Sequence, residues 1–449
     1  MKKIVLWGWS EPDMVRAVEI LKLNSEIELI DWIADLSWVD RPFVEFLYNP
    51  TYLGRFKFDD YIGELTEGEL VKFLDMFSRE KRSKGLGYHE QVNIAKAYFR
   101  FFLRELQLKK IDHILFSILP IIGMDYLCYL AAKKLGVSVT MCYQSLFLDK
   151  FFYTHSLEDF GSFDDVVELE VDEIPEISWG FKKDLFYMEG EVTKNRQKNP
   201  WWTLFRETLR YGLRTSSKPV RYSGVIENFL QAKEFKQNYE KYAKSINDLD
   251  MQESFVYFPL HLQPELTTSG MGGGYSDQLD AIERLSDMLP HDWKIYVKEN
   301  PKQGHEQRGA EFFRRLSMIQ NVEYVAKEVD TYWLMGHSRF VATITGTAGW
   351  EAITGGKPCL VFGHAWYVSI PGVVKYTPTV TLSDILSQEI DQSLQKKIYE
   401  ALYKKMRTGI VDADYIKMHP SYDFEENANK VAEFLSEIIL GKPSFLGEK

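Results

Sequence analysis

The sequence predicts an α/β protein built from two Rossmann-like, doubly wound halves, and three observations carry that expectation. Apolar runs alternate with amphipathic stretches from the first residues: Lys3–Trp9 (KIVLWGW), then a helical pattern on Val15, Ala17, Val18 and Leu21, then Ile27–Ile33. The order strand, loop, helix, Gly, strand recurs at His113–Ile118, Leu119–Gly123, Asp125–Leu135, Gly136 and Val137–Cys142. A new pattern of the same kind starts at Phe255–Pro259, beyond the charged helical stretch Phe229–Ile246. The boundary therefore falls near Asp248. Residues 1–248 form a first half with a helical, basic insertion near 190–225. Residues 249–449 form a second half ending in the amphipathic helix Glu425–Leu440.

Within the first half, Ser10 or Asp13 is placed to cap the first helix, and Leu70–Leu106 reads mainly as helix with a gap near Ser83–Gly87. Gln144 follows a strand's carboxyl end, where it is either a cleft residue or a polar loop residue. In the second half, helices are expected at Leu279–Leu289, Ala310–Ser317 and Asp330–Met335, and strands at Trp293–Lys298 and Val322–Tyr324.

Composition excludes several classes. A chain of 449 residues with 45% hydrophobic and 27% charged content has ample core for two or three domains. The net charge of −11 speaks against a general nucleic-acid binder. Cys128, Cys142 and Cys359 lie in apolar runs without a C-x-x-C pair, and read as buried thiols of a reducing cytosol. The apolar run after Met1-Lys2-Lys3 stops at Trp9, too soon for a signal segment, and Asp125, Pro120 and Gly123 interrupt Ile114–Ala132, so a soluble protein is expected. There is no G-x-S-x-G, no H-E-x-x-H and no histidine pair at metal-ligand spacing, so no catalytic metal is expected.

The stretch with most chemistry is Phe340–Pro371. Phe340–Thr345 reads as a buried strand, Gly346–Gly349 as a tight turn, Trp350–Thr354 as a short helix stopped by Gly355-Gly356, and Pro358–Phe362 as a second strand. A turn at a parallel strand's carboxyl end, opening a helix, suits a phosphate, and Thr345 and Thr347 add hydroxyls. Glu351 lies one helical turn beyond Thr347, in reach of ribose hydroxyls. An ordinary β–α–β turn would use the same small residues for packing.

Two more loops leave strand ends on that edge: His261-Leu262-Gln263-Pro264-Glu265 with Gly270, Gly272, Gly273 and Gly274, and Lys298-Glu299-Asn300-Pro301-Lys302. Together the three loops offer a cation for phosphate (Lys298), hydroxyl and backbone donors, a carboxylate for ribose and an acid/base pair (His261, Glu265), a combination that suits a nucleotide-diphosphate or nucleotide-monophosphate sugar. Elsewhere, acidic Glu158–Glu176 is followed by Lys194–Arg221, where Arg206, Arg210 and Arg214 share one face if Trp202–Leu213 is helical. That face reads as a contact for an anionic acceptor or membrane, or as a solvated surface.

The segments F-P-L-H-L-Q-P-E, Y-V-K-E-N-P and T-G-T-A-G-W-E-A-I-T-G-G-K-P, with Q-S-L-F-L-D-K-F-F in the first half, resemble the bacterial capsule polysaccharide synthesis proteins, a group that includes Kdo transferases. The resemblance implies a GT-B-like architecture, with two Rossmann-like domains facing across a cleft. It also implies metal-independent transfer of a sugar, from a CMP- or other nucleotide-activated donor, onto a surface polysaccharide or its lipid-linked precursor. No cofactor beyond that co-substrate and no nucleic-acid partner is implied. The chain would work in the cytoplasm, peripheral to the inner face of the membrane. Lys298 and Pro301 match the family's basic-x-His-Pro element, Thr345, Gly346, Thr347 and Gly349 its nucleotide loop, and Gly356, Lys357 and Pro358 its G-K-P. One position departs: the family histidine is Asn300, whose amide donates to a phosphate oxygen but carries no charge and relays no proton. Alternatives are an epimerase or polyol-phosphate transferase on the same fold, or a non-catalytic assembly scaffold, which Asn300 would suit.

Overall fold

Four consecutive residues of the first strand, Ile4, Val5, Leu6 and Trp7, are buried, which explains a run that does not alternate: a strand covered on both faces has no solvent side. The computed structural model describes residues 1–36, 39, 41–42, 63–78, 80, 83, 86–171, 173–181, 222–250, 252–263, 266–305, 308–419 and 421–441. Its chain divides into two compact units. One comprises Met1–Pro175, Ser269–Met271 and Gln392–Lys449, the other Glu176–Thr268 and Gly272–Asp391.

The first unit contains β1 (Lys2–Trp7), β2 (Ile27–Ala34), β3 (Arg41–Pro42), β4 (His113–Phe116), β5 (Ser138–Gln144) and β6 (Lys150–Thr154). The second contains β7 (Phe255–Pro259), β8 (Lys294–Lys298), β9 (Val322–Val325), β10 (Val341–Thr343), β11 (Cys359–Val361) and β12 (Val373–Lys375). The two-residue β13 (Arg407–Thr408) pairs antiparallel with β6 and so rejoins the first sheet. The sheet orders are β13-β6-β5-β4-β1-β2-β3 and β12-β11-β10-β7-β8-β9. The second is parallel throughout and has the 3-2-1-4-5-6 order of a doubly wound fold, whose direction reverses between β7 and β10. The first repeats that order over β3-β2-β1-β4-β5 and reverses between β1 and β4. The expectation of two Rossmann-like α/β units is met.

The units are not cut at Asp248. The tail returns to the first unit, where Asn427 and Tyr422 both donate to the Asp13 carboxylate at 2.6 Å and Arg16 pairs with Glu425 at 3.2 Å. The helix Tyr222–Tyr242 belongs to the second unit because its aromatic side packs there: Phe235 and Tyr242 lie 6.2 and 5.6 Å from the Phe313 ring. In that unit β7 splits by pleat. Val256 and Phe258 join the core holding Ile282, Phe313 and Ile344, while Phe255 and Tyr257 join the core holding Tyr296, Leu334 and Ala352.

Candidate functional site

The reversal between β7 and β10 brings two sequence-predicted loops into direct contact. His261 follows β7 and is buried, and its Nε2 lies 2.9 Å from the Thr343 hydroxyl at the end of β10. Thr345 N–H donates to the same nitrogen at 3.4 Å, and Gly346 N–H donates to the Thr343 hydroxyl at 3.3 Å. Burial, with Arg308 adding to it, pushes the imidazole down to about 4, so it is neutral at pH 7. The Thr345 hydroxyl donates to the Thr267 carbonyl at 2.6 Å. Gly346 is then the N-cap of the helix Thr347–Thr354, which has neither a side-chain cap nor an acidic residue in its first turn. The positive end of that helix dipole is therefore uncompensated by its own residues.

Small residues are required here by packing. A Cβ on Gly346 would lie 3.0 Å from His261 Cε1, and one on Gly349 would lie 2.8 Å from Cys359 Sγ. The Tyr367 hydroxyl donates to the Gly346 carbonyl, which fixes the turn from the other side. The helix begins three residues before the expected Trp350, because Thr347, Ala348 and Gly349 are helical rather than part of the turn. Glu351 is half-buried on the same helix.

Lys298 ends β8 beside Pro259 of β7, on the same carboxyl edge. It is buried, and its Nζ donates to the Thr331 hydroxyl at 2.6 Å, at the start of the helix Thr331–His337. Burial lowers its pKa, while Asp330 and Glu328 oppose that shift. Asn300 accepts from Lys302 N–H at 2.9 Å, so its carbonyl shapes the loop, and Pro301 is exposed.

Beneath these loops lies a polar network that sequence reasoning missed. Arg308 is fully buried and donates to Glu299 at 2.8 Å, to Gln263 Oε1 at 2.8 Å and to the His261 carbonyl at 3.2 Å. Glu299 also accepts from the Tyr324 hydroxyl and from Asn300 N–H, both at 2.9 Å. Gln278 binds both His261 N–H (2.8 Å) and its carbonyl (3.0 Å), and Gln303 binds Gln263 N–H (2.8 Å) and its carbonyl (2.9 Å). The network ties the His261 loop to the Asn300 loop. Its only trace in the sequence is glutamine where loops usually carry smaller polar residues.

Other predicted residues lie elsewhere. Lys357 precedes β11, at the amino end of the strand, and its Nζ donates to the Ser338 carbonyl at 2.9 Å, so the structure does not bring it to the Thr345 turn. The G-K-P spacing placed it after the helix, hence on the opposite edge of the sheet. Glu265, Arg206, Arg210, Arg214 and the 202–213 stretch lie outside the described residues.

The first unit has its own switch point, a groove whose lining includes Trp7, Ser10, Ile118, Gln144 and Asp412. The Trp9 indole, part of that lining, donates to the Leu115 carbonyl at 3.0 Å. Gln144 is buried and engaged at both ends, donating to the Lys150 carbonyl (3.0 Å) and accepting from Val411 N–H (2.8 Å). The helix Met124–Leu135 opens here with Asp125, whose carboxylate accepts from Ile121 (2.7 Å), Ile122 (3.1 Å) and Tyr126 (2.7 Å) N–H groups. All three cysteines are buried and none is in a disulfide. Among the described residues no cluster of His, Cys, Asp or Glu could hold a metal ion, and no helix is long and apolar enough to cross a membrane.

No curated protein matches the chain. Among solved structures, the KpsC beta Kdo 2,7 transferase of Thermosulfurimonas dismutans is 12% identical with a TM-score of 0.32, over 83% of this chain and 98% of that one. The UDP-GlcNAc 2-epimerase of Neisseria meningitidis bound to UDP-GlcNAc is 14% identical with a TM-score of 0.21, over 98% and 100%. A glycosyltransferase from Rickettsia africae is 10% identical with a TM-score of 0.24, over 98% of each chain. Likenesses this remote decide nothing about activity. The family evidence is of another kind: the model of the capsule polysaccharide biosynthesis proteins matches residues 171–411, which is more than half of the sequence and takes in both the His261 loop and the Thr345 turn. The chain belongs to the capsule polysaccharide biosynthesis protein family.

Proposed function

We propose that this protein is a glycosyltransferase that moves a sugar from a nucleotide-activated donor onto a bacterial surface polysaccharide or its lipid-linked precursor. The observation that carries the reading is the uncapped helix Thr347–Thr354, which opens at the switch point of a 3-2-1-4-5-6 sheet. The leaving nucleotide's phosphate sits at the helix end of the Thr345–Gly349 segment, on the first turn from Thr347, with Lys298 and the Asn300-Pro301 loop beside it, and Glu351 accepts from its ribose. Phosphate charge is then met by a lysine and a helix terminus, so the reading calls for no metal and no cofactor besides the nucleotide sugar. Glu265 is the carboxylate proposed to activate the acceptor hydroxyl or to attack the anomeric carbon. The acceptor is a glycan or lipid-linked glycan, and the Arg206, Arg210, Arg214 face is its proposed contact, or that of an anionic cytoplasmic membrane surface.

The test is a thermal-shift screen against CMP, UDP, GDP, dTDP and CDP. A nucleotide that binds raises stability by about 2.7 kcal/mol at a hundred times its dissociation constant. A response to CMP supports an ulosonic-acid donor, and one to UDP or GDP supports a hexose donor. Silence from all five favours the scaffold reading, which Asn300 in the place of the family's histidine would suit. If Glu265→Ala removes transfer and nucleotide binding to the same degree, its assignment falls.

A further inference from the structure

Hydrogen counting around His261 gives a definite arrangement. Thr345 N–H is aimed at His261 Nε2, so that nitrogen carries no proton, and the Thr343 hydroxyl, which accepts from Gly346 N–H, donates to it at 2.9 Å. This leaves the ring proton on Nδ1. The ring is held in turn by its backbone, whose N–H and carbonyl are both bound to Gln278 while Arg308 binds the carbonyl. Nothing in this arrangement presents Nε2 to a substrate.

We propose that His261 is a positioning residue for the nucleotide's phosphate, acting through Thr343 to hold the turn 343–346 in the shape that presents the helix N-terminus. The inference rests on the nucleotide-binding reading above. His261 and the Thr343 hydroxyl take up the amides of Thr345 and Gly346, and the anion is received further along, on the helix's own first turn. His261 therefore neither relays a proton nor touches the ligand. Removing its bond to Thr343 lets the turn relax, and the first turn of the helix loses its aim at the anion.

The experiment measures dissociation constants by calorimetry, for whichever of CMP, UDP, GDP, dTDP and CDP the wild type binds, alongside the melting temperature of each unliganded protein. Thr343→Val, which keeps shape and removes the hydroxyl, is expected to weaken binding about tenfold, the scale of a hydrogen bond acting on a charged ligand. Thr343→Ser restores it. His261→Gln weakens binding to a similar degree, and the double variant loses no more than either single one, since the two form one unit. Wild-type affinity in Thr343→Val, or additive losses in the double variant, overturns the proposal. Should Thr343→Val not fold, the affinity of His261→Gln decides: a loss supports the positioning role and wild-type binding overturns it. A wild type that binds none of the five nucleotides defeats the functional reading itself, an outcome distinct from variants that bind as well as the wild type.

Discussion

The two switch points of this molecule have the same topology and opposite electrostatics. In the first unit, the helix after β4 carries an aspartate at its second position, and Asp125 draws in three amides with its carboxylate. In the second unit, the helix after β10 has Ala348 at the equivalent second position, and no acidic residue in its first turn. One helix end has been given an internal anion and the other has not. Strand order alone would assign a phosphate equally well to either unit, so what distinguishes them is a single residue type at one position of a helix. The first groove, with its dipole compensated and Asp412 in its lining, suits an uncharged ligand such as sugar hydroxyls better than a phosphate.

The largest expected effect separates scaffold from site. Arg308→Ala leaves the Glu299 carboxylate buried without its cation and is expected to lose about 3–5 kcal/mol in chemical denaturation. A loss under about 1 kcal/mol would show that the network does not hold the His261 and Asn300 loops together. Asp125→Ala acts on the other unit by removing the acceptor of three amides. It is expected to cost about 1–3 kcal/mol and to leave nucleotide affinity unchanged. A nucleotide affinity that falls with Asp125→Ala would mean that the phosphate binds in the first unit instead.

A smaller effect is a pH dependence shared by both units. His261 and His113 are each pushed down to about 4 by burial, with Arg308 adding to the first, and His155 and Lys2 to the second, where Asp112 opposes. Their folded values lie below the unfolded value of 6.5, so the unfolded chain binds more protons between pH 6.5 and 4. Stability is thus fully present above about pH 6.5 and is lost as pH falls toward 4. His261→Gln and His113→Gln should each flatten that slope in urea titrations, whereas only His261→Gln should weaken nucleotide binding. Equal effects of the two on binding would remove the distinction. The smallest effect belongs to Lys298→Met. Burial already disfavours the charge, so stability should change by less than about 1 kcal/mol while nucleotide affinity drops. Unchanged affinity would leave Lys298 as a partner of Thr331 alone.

Strands and helices were legible wherever an apolar period ran for a turn or more: Phe255–Pro259 falls where the pattern put it, and Ala310–Met318 within one residue. The carboxyl edge was legible for the same reason, since a strand's end locates its loop, and this placed His261, Lys298 and Thr345 together. Thr343 was hidden inside a β-branched run, where a threonine reads as strand filler. Arg308, Glu299, Gln263 and Gln303 sit among turn residues and look solvated, because their burial comes only from the convergence of separate loops. The tail showed a buried face but not its partner, and two-residue β13 is too short for any period.

The most direct test exchanges the difference itself. Ala348→Asp gives the second unit a first-turn carboxylate like Asp125 of the first. The carboxylate complements the dipole but replaces a methyl group that packs against the core holding Leu334 and Ala352, so the melting temperature of the unliganded variant is measured alongside and the ligand response is read relative to it. The nucleotide that stabilises the wild type is expected no longer to shift this variant in a thermal melt. A variant that responds as the wild type does would contradict the assignment of the phosphate to the Thr345–Gly349 turn.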